Sequence, residues 1–315
     1  MGSMIRPHGC VAAIGALLIL CSCGPQPLSQ TTPMRGTVTA NGIVFDYVIE
    51  GKGPTCMVVG DATPVERAIS ERLRGRLRLA YLGSRMSTPE DRVGDVTGVT
   101  MDTLVQDIEE MRRALDLGRV CVIGHSISGL LALEYARRYP ENVTVVVMHS
   151  TPPYYNERLS AALNAYWDTA ASAERKALRQ RDREAVPEDS LRRLPADEAM
   201  KLRYITSAPV YFHDPAYDPA WILDGVTWNV PAWNQLFGSI MPSYDPAVGP
   251  PIRVPVFLAL GRNDFAVPFA VWDGERHKIP DLSLHLFERS GHYAMLEEHE
   301  QFDAALLQWM DSRLR

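Results

Sequence analysis

Short unbroken apolar runs recur along this chain, at 56–59, 120–123, 143–148 and 254–260, each closed by turn residues. Runs of this length are expected of parallel strands buried on both faces. Between them, apolar residues return at three- and four-residue spacing. Leu104, Ile108, Met111 and Leu115 fall on one face of a helix expected over Met101–Leu117. Further helices are expected over about 64–74 and 301–313, and a further strand over 77–83. Near the start, 37–40 and 43–50 flank Asn41-Gly42, the signature of a tight hairpin turn. This alternation predicts an α/β fold: a mostly parallel sheet, right-handed crossovers, flanking helices and an antiparallel edge.

The rhythm stops at Thr151-Pro152-Pro153 and resumes at Val254. Residues 152–251 hold twelve of the 23 prolines and half of the 26 aromatic residues, and contain charge-rich helical stretches such as 173–184. They are expected to form a helical cap inserted into a core made of 35–151 and 252–315. Most of its aromatics should build a small core of their own. Tyr154, Tyr155, Trp221, Trp228 and Trp233 are the candidates to face a ligand, because pockets are lined by apolar and aromatic side chains.

Residues 1–23 read as a leader. Arg6 and His8 precede a ten-residue apolar run, Val11–Leu20, too short for a spanning helix and suited to a signal-peptide core. The run ends in Leu20-Cys21-Ser22-Cys23, which resembles a bacterial lipobox with Cys23 as the lipidated residue. The resemblance implies cleavage before Cys23 and a lipid anchor in the cell envelope. Gly24 would favour the outer membrane in a Gram-negative host; an ordinary secretory signal is the alternative. Residues 24–34, rich in Pro, Gln, Ser and Thr, fit a flexible tether.

Hydrophobic content of 46% and charged content of 22% suit a globular core, and a net charge of −6 without a basic block argues against nucleic-acid partners. No P-loop, G-x-G-x-x-G, H-E-x-x-H or paired Cys-x-x-Cys occurs, so neither a metal nor a nucleotide cofactor is expected. Cys56 and Cys121 fall in neighbouring predicted strands; buried free thiols are expected, with a disulfide as the alternative.

The candidate chemistry lies where the second of these runs ends. Gly124-His125-Ser126-Ile127-Ser128-Gly129 joins a strand to a helix, a setting in which small neighbours let the chain turn sharply around a serine. A serine hydroxyl is a poor nucleophile unless a histidine takes its proton and a carboxylate holds that histidine. Asp264 follows an apolar strand in Gly261-Arg262-Asn263-Asp264, at the sheet edge where open α/β sheets place ligands. His292 follows the last predicted strand in Ser290-Gly291-His292, whereas His285 and His299 are read as structural.

These motifs resemble the α/β-hydrolase family, especially its proline iminopeptidase-like and carboxylesterase branches. The resemblance implies an eight-stranded sheet and the chain order serine, acid, histidine. It also implies an oxyanion hole from the backbone N–H groups of Ile127 and of Asp61 in the turn after Val59. Two departures stand out: Ser128 replaces the second glycine of G-x-S-x-G, and Val59-Gly60, with Asp61 following, replaces the usual His-Gly. Prolyl aminopeptidases carry Gly-Gly-Pro-Gly at that turn and this chain does not, which favours an ester as the small-molecule substrate. The alternatives are an aminopeptidase or amidase, with Asp214, Asp218 and Asp224 as carboxylates for a substrate ammonium, and a non-catalytic envelope lipoprotein.

Overall fold

Eight strands form one sheet in the order β1-β2-β4-β3-β5-β6-β7-β8. They are β1 (Met34–Ala40), β2 (Ile43–Gly51), β3 (Thr55–Val59), β4 (Arg78–Leu82), β5 (Val120–His125), β6 (Val143–His149), β7 (Val256–Gly261) and β8 (Leu282–Phe287). The computed structural model describes residues 32–314. The leader 1–23, with Cys23, and the tether up to residue 31 lie outside the described residues.

β2 runs antiparallel to both β1 and β4, and every other pairing is parallel, as the alternation predicts. β7 is buried along its whole length and β5 along all but its last residue, which is why both read as unbroken apolar runs. In the hairpin, Ala40 opposes Ile43 and leaves Asn41-Gly42 as the turn. Both turn residues have positive φ, 47° and 78°, as a tight hairpin of this type demands. Cys56 and Cys121 face each other in register as buried free thiols, and burial pushes the Cys121 thiol up.

Three helices position the site from the core: α1 (Ala62–Ala68), α2 (Met101–Ala114) and α3 (Ser128–Arg138). α2 starts at a reciprocal cap between Thr100 and Thr103 and buries Met101, Leu104, Val105, Ile108 and Met111. The single helix expected over 64–74 is instead two. Ile69 is extended, and the Ser70 hydroxyl accepts from Leu73 N at 3.1 Å, starting a separate turn at Glu71.

Between β6 and β7 the chain leaves the sheet for a helical insertion. It contains α4 (Glu157–Ala170), α5 (Ala173–Ala185), α6 (Ala196–Ile205), α7 (Val230–Gln235) and shorter turns. Asn156, Ser172 and Asn229 cap α4, α5 and α7 through their side chains. The prolines punctuate rather than disrupt: Pro209, Pro231 and Pro242 sit in first turns, where a missing N–H costs no bond. The chain ends in α8 (His299–Arg313). Among the described residues no helix is long and apolar enough to cross a membrane.

One buried ion pair ties hairpin, loop and helix. Arg85 donates to Asp107 from Nε at 2.6 Å and from Nη2 at 3.1 Å, and Asn41 Nδ2 adds a third bond at 2.8 Å. Both charged side chains are buried. Truncating Asp107 to alanine strands the guanidinium, so urea unfolding should show a loss of about 3–5 kcal/mol.

Candidate active site

Ser126 occupies the turn between β5 and α3 with φ of +55°, a left-handed conformation that residues with a Cβ seldom adopt. The strain is held by Ser126 N donating to His149 O at 2.7 Å and Gly129 N donating to Ser126 O at 3.0 Å. The flanking glycines are there for space. A Cβ on Gly124 would lie 2.3 Å from Ser128 O, and one on Gly129 would lie 1.9 Å from Thr151 Oγ1. The departure at Ser128 has a counterpart across the sheet. Its Oγ fills the spot where a Cβ of Gly60 would stand, 2.0 Å away, and Gly60 has φ of +86°. Val59 pairs with Gly124, so the Gly60-Asp61 turn lies alongside the Ser126 turn.

Asp264 and His292 come from the loops after β7 and β8. Asp264 is fully buried. Its Oδ1 accepts from Ala266 N at 2.9 Å and Val267 N at 2.8 Å, and its Oδ2 meets His292 Nδ1 at 2.7 Å. With the proton on Nδ1 directed at this carboxylate, Nε2 of the neutral ring keeps its lone pair. His292 N donates to Tyr211 O of the insertion at 2.5 Å. A Cβ on Gly291 would lie 2.2 Å from that same carbonyl, so glycine lets the histidine loop reach the insertion.

Sequence reasoning missed the clamp behind this loop. Glu298 Oε2 accepts from Arg289 N at 2.8 Å and Ser290 Oγ at 2.7 Å. Glu297 takes Gly291 N at 2.7 Å and His213 N of the insertion at 2.6 Å. Burial outweighs these bonds and pushes the Glu297 carboxyl up to about 7. Two carboxylates five and six residues after a candidate histidine are the signal that could have flagged it.

Two more histidines surround His292. The His125 ring lies 4.7 Å from that of His292 and 5.0 Å from that of His149, and His125 Nε2 meets His292 O at 2.9 Å. His149 Nε2 accepts from Ala294 N at 3.0 Å. Burial, then the neighbouring His292, pushes His125 down to about 3, and burial holds His149 well below its usual range. Both rings stay neutral supports near neutral pH.

Ser126, Ile127 and His292 open on one cavity of about 520 Å³, a size ordinary for small-molecule sites. The insertion supplies Tyr155, Trp167, Tyr211 and Phe237 to its lining, together with Arg179 and Arg183. Of the five aromatics expected to face a ligand, Tyr155 lines this cavity and four do not. Tyr154 packs under the Arg158 guanidinium at 4.3 Å, and Trp221, 45% exposed, donates to Tyr217 Oη at 2.8 Å. Trp228 and Trp233 are buried with ring centres 6.3 Å apart, and Trp228 Nε1 donates to Asp61 Oδ2 of the sheet core at 2.9 Å. How the insertion packs on the sheet, which composition does not encode, turned them away. Asp214 and Asp218 cap their own loops, and the Asp224 carbonyl accepts from Arg67. Among the described residues no group of three or more His, Cys, Asp or Glu side chains could hold a metal ion.

Known proteins share this architecture. The family model described as alpha/beta hydrolase fold matches residues 79–299. An AB hydrolase superfamily protein of Bacillus subtilis, YclE, is 31% identical over 278 residues, covering 88% of this chain and 98% of that protein. Among solved structures, an esterase from Exiguobacterium antarcticum superposes with a TM-score of 0.64 at 20% identity, covering 88% of this chain and 100% of that one. A proline iminopeptidase from Mycobacterium smegmatis superposes with a TM-score of 0.66 at 17% identity, covering 89% and 98%. A sheet of this order, with a strained serine after its fifth strand and a family match across most of the chain, makes this protein a member of the alpha/beta hydrolase fold family.

Proposed function

We propose that the protein is a serine hydrolase that cleaves a carboxylic ester through an acyl-enzyme. The observation that carries this reading is the 2.7 Å bond from His292 to the enclosed Asp264, in the same cavity as Ser126 on its strained turn. Ser126 Oγ bonds to the ester carbonyl carbon as its proton passes to His292 Nε2. Asp264 stabilises the resulting imidazolium without taking the proton. The carbonyl π electrons move to oxygen, and the backbone N–H groups of Ile127 and Asp61 receive that charge. The C–O bond to the alcohol then breaks, and His292 returns the proton to the leaving oxygen. Water repeats the sequence on the acyl-enzyme, giving its proton to His292 and then to Ser126 Oγ as the acid leaves. The insertion acts as a cap over this cavity.

The iminopeptidase among its structural neighbours keeps an exopeptidase reading in view. Such a substrate brings an ammonium, which is costly to bury without a carboxylate. The residues lining the cavity include two arginines and no Asp or Glu, which favours the ester. The short apolar run and Leu20-Cys21-Ser22-Cys23 support a lipid anchor on Cys23 and an envelope location.

Ser126→Ala should abolish turnover of 4-nitrophenyl esters, and Asp264→Asn should lower kcat about ten-thousandfold with little change in fold by circular dichroism. Cleavage of alanyl or prolyl anilides dependent on a free amine would instead assign an aminopeptidase. Cys23→Ala should move the protein from the membrane to the soluble fraction of a bacterial host. The Asp61 carboxyl beside the reacting carbonyl offers a pH test. Its Oδ1 is enclosed without a partner, and burial pushes it up to about 6 despite the Trp228 bond. A carboxyl that binds its proton more tightly folded than unfolded costs stability as pH rises from the ordinary carboxylate range through about 6. Asp61→Asn should therefore unfold at higher urea than the parent at pH 8, by on the order of 1–3 kcal/mol, with the gap closing near pH 4.

A further inference from the structure

Two arginines on one face of α5 have opposite fates. Arg175 is buried and spends its guanidinium on the insertion: Nη1 donates to Pro209 O and Phe212 O at 2.7 Å each, and Nη2 to His213 O at 2.6 Å. Arg179, one turn later, lines the catalytic cavity, and its Nη1 is enclosed without a hydrogen-bond partner. An enclosed, unpaired donor on a cation is among the costlier things a fold can keep. Arg183, a further turn on, lines the same cavity and adds a like charge instead of relief.

The catalytic cavity supplies no counter-charge, and Glu184, which shares an adjoining hollow with Arg179 and Arg183, accepts from Gln180 Nε2 at 2.8 Å. The side chains lining the cavity include no carboxylate, and Asp264 lies behind the histidine, satisfied by it and by two backbone N–H groups. Arg179 lies 5.8 Å from the Trp167 ring centre, and Trp167 meets Phe265 edge-on at 5.3 Å, beside Asp264. Tyr211, whose ring is 5.4 Å from that of His292, lines the same cavity. Trp167, Phe265 and Tyr211 thus line one cavity with both the donor and His292.

We infer that the substrate carries a carboxylate of its own, bound by Arg179 with Arg183 beside it, in the same cavity as the carbonyl that Ser126 attacks. A planar guanidinium matches a carboxylate with two parallel bonds, and a substrate anion removes the cost of the unpaired donor. Neutral esters leave that cost in place. The inference rests on the serine-hydrolase reading for the position of the reacting carbonyl, and on the unpaired cation alone for the anion.

The test compares matched esters on the full chain: the 4-nitrophenyl monoester of adipic acid against 4-nitrophenyl hexanoate, and 4-acetoxybenzoate against 4-tolyl acetate. The first pair places the carboxylate on the acyl side and the second on the leaving group. In at least one pair the anionic ester should have the higher kcat/KM, by about tenfold to a hundredfold, the value of one charge-assisted bond. Arg179→Met should collapse that ratio, and Arg179→Lys should restore part of it. Equal or greater turnover of the neutral ester in both pairs overturns the inference, as does a preference that survives Arg179→Met. Calorimetric binding of the uncleaved adipate monoester to Ser126→Ala separates the two readings. If no ester is cleaved by the parent, the hydrolase reading falls. Tighter binding by Ser126→Ala than by Ser126→Ala/Arg179→Met still supports the anion site, and equal or absent binding overturns it.

Discussion

The left-handed backbone of Ser126 is the constraint on which the rest of the site depends. A residue with a Cβ holds that conformation only when its surroundings leave it no alternative. Here they do so by closeness: Gly124 against the Ser128 carbonyl, Gly129 against Thr151, and Gly60 against the Ser128 hydroxyl. The glycine missing from position 128 is thereby accounted for, because the volume added there is taken from residue 60 on the neighbouring strand's turn. Strands β3 and β5 must stay in register for this exchange to work, and the sheet core sets that register.

The histidine is held by a different logic. Ser126 is fixed by packing, whereas His292 is fixed by hydrogen bonds at both ends: its ring on Asp264, its backbone on Tyr211, and its loop on Glu297 and Glu298. Around it, His125 and His149 remain uncharged because they are buried, so the cluster gathers three imidazoles without gathering three cations.

Much of this was legible in the chain. Apolar runs bounded by turns gave the parallel strands, Asn41-Gly42 gave the hairpin, and the order of residues 126, 264 and 292 followed from which strand each one ends. Those signals are local, or repeat with the period of the element that carries them. The insertion has no such period to lean on. Whether Trp167 or Trp233 faces the cavity depends on how its helix is rotated against the sheet, which the helix's own residues do not specify. Nothing in the local composition separates Arg175 from Arg179 either, since their difference lies in which carbonyls happen to be within reach. The Ser70 cap was readable in principle, but an apolar pattern running across it concealed the break.

The Trp228–Asp61, Tyr211–His292 and His213–Glu297 bonds run from the insertion to the sheet edge, the first to the turn after β3 and the other two to the stretch after β8. Modularity is therefore limited in this molecule. An insertion grafted from a relative would have to bring a matching indole, a matching carbonyl and a matching amide, or the loops beneath it would lose their anchors. Diversification of the insertion is confined to side chains whose replacement leaves these three bonds intact, and the cavity lining offers them: Tyr155, Trp167 and Phe237 take no part, and Tyr211 bonds through its backbone carbonyl alone.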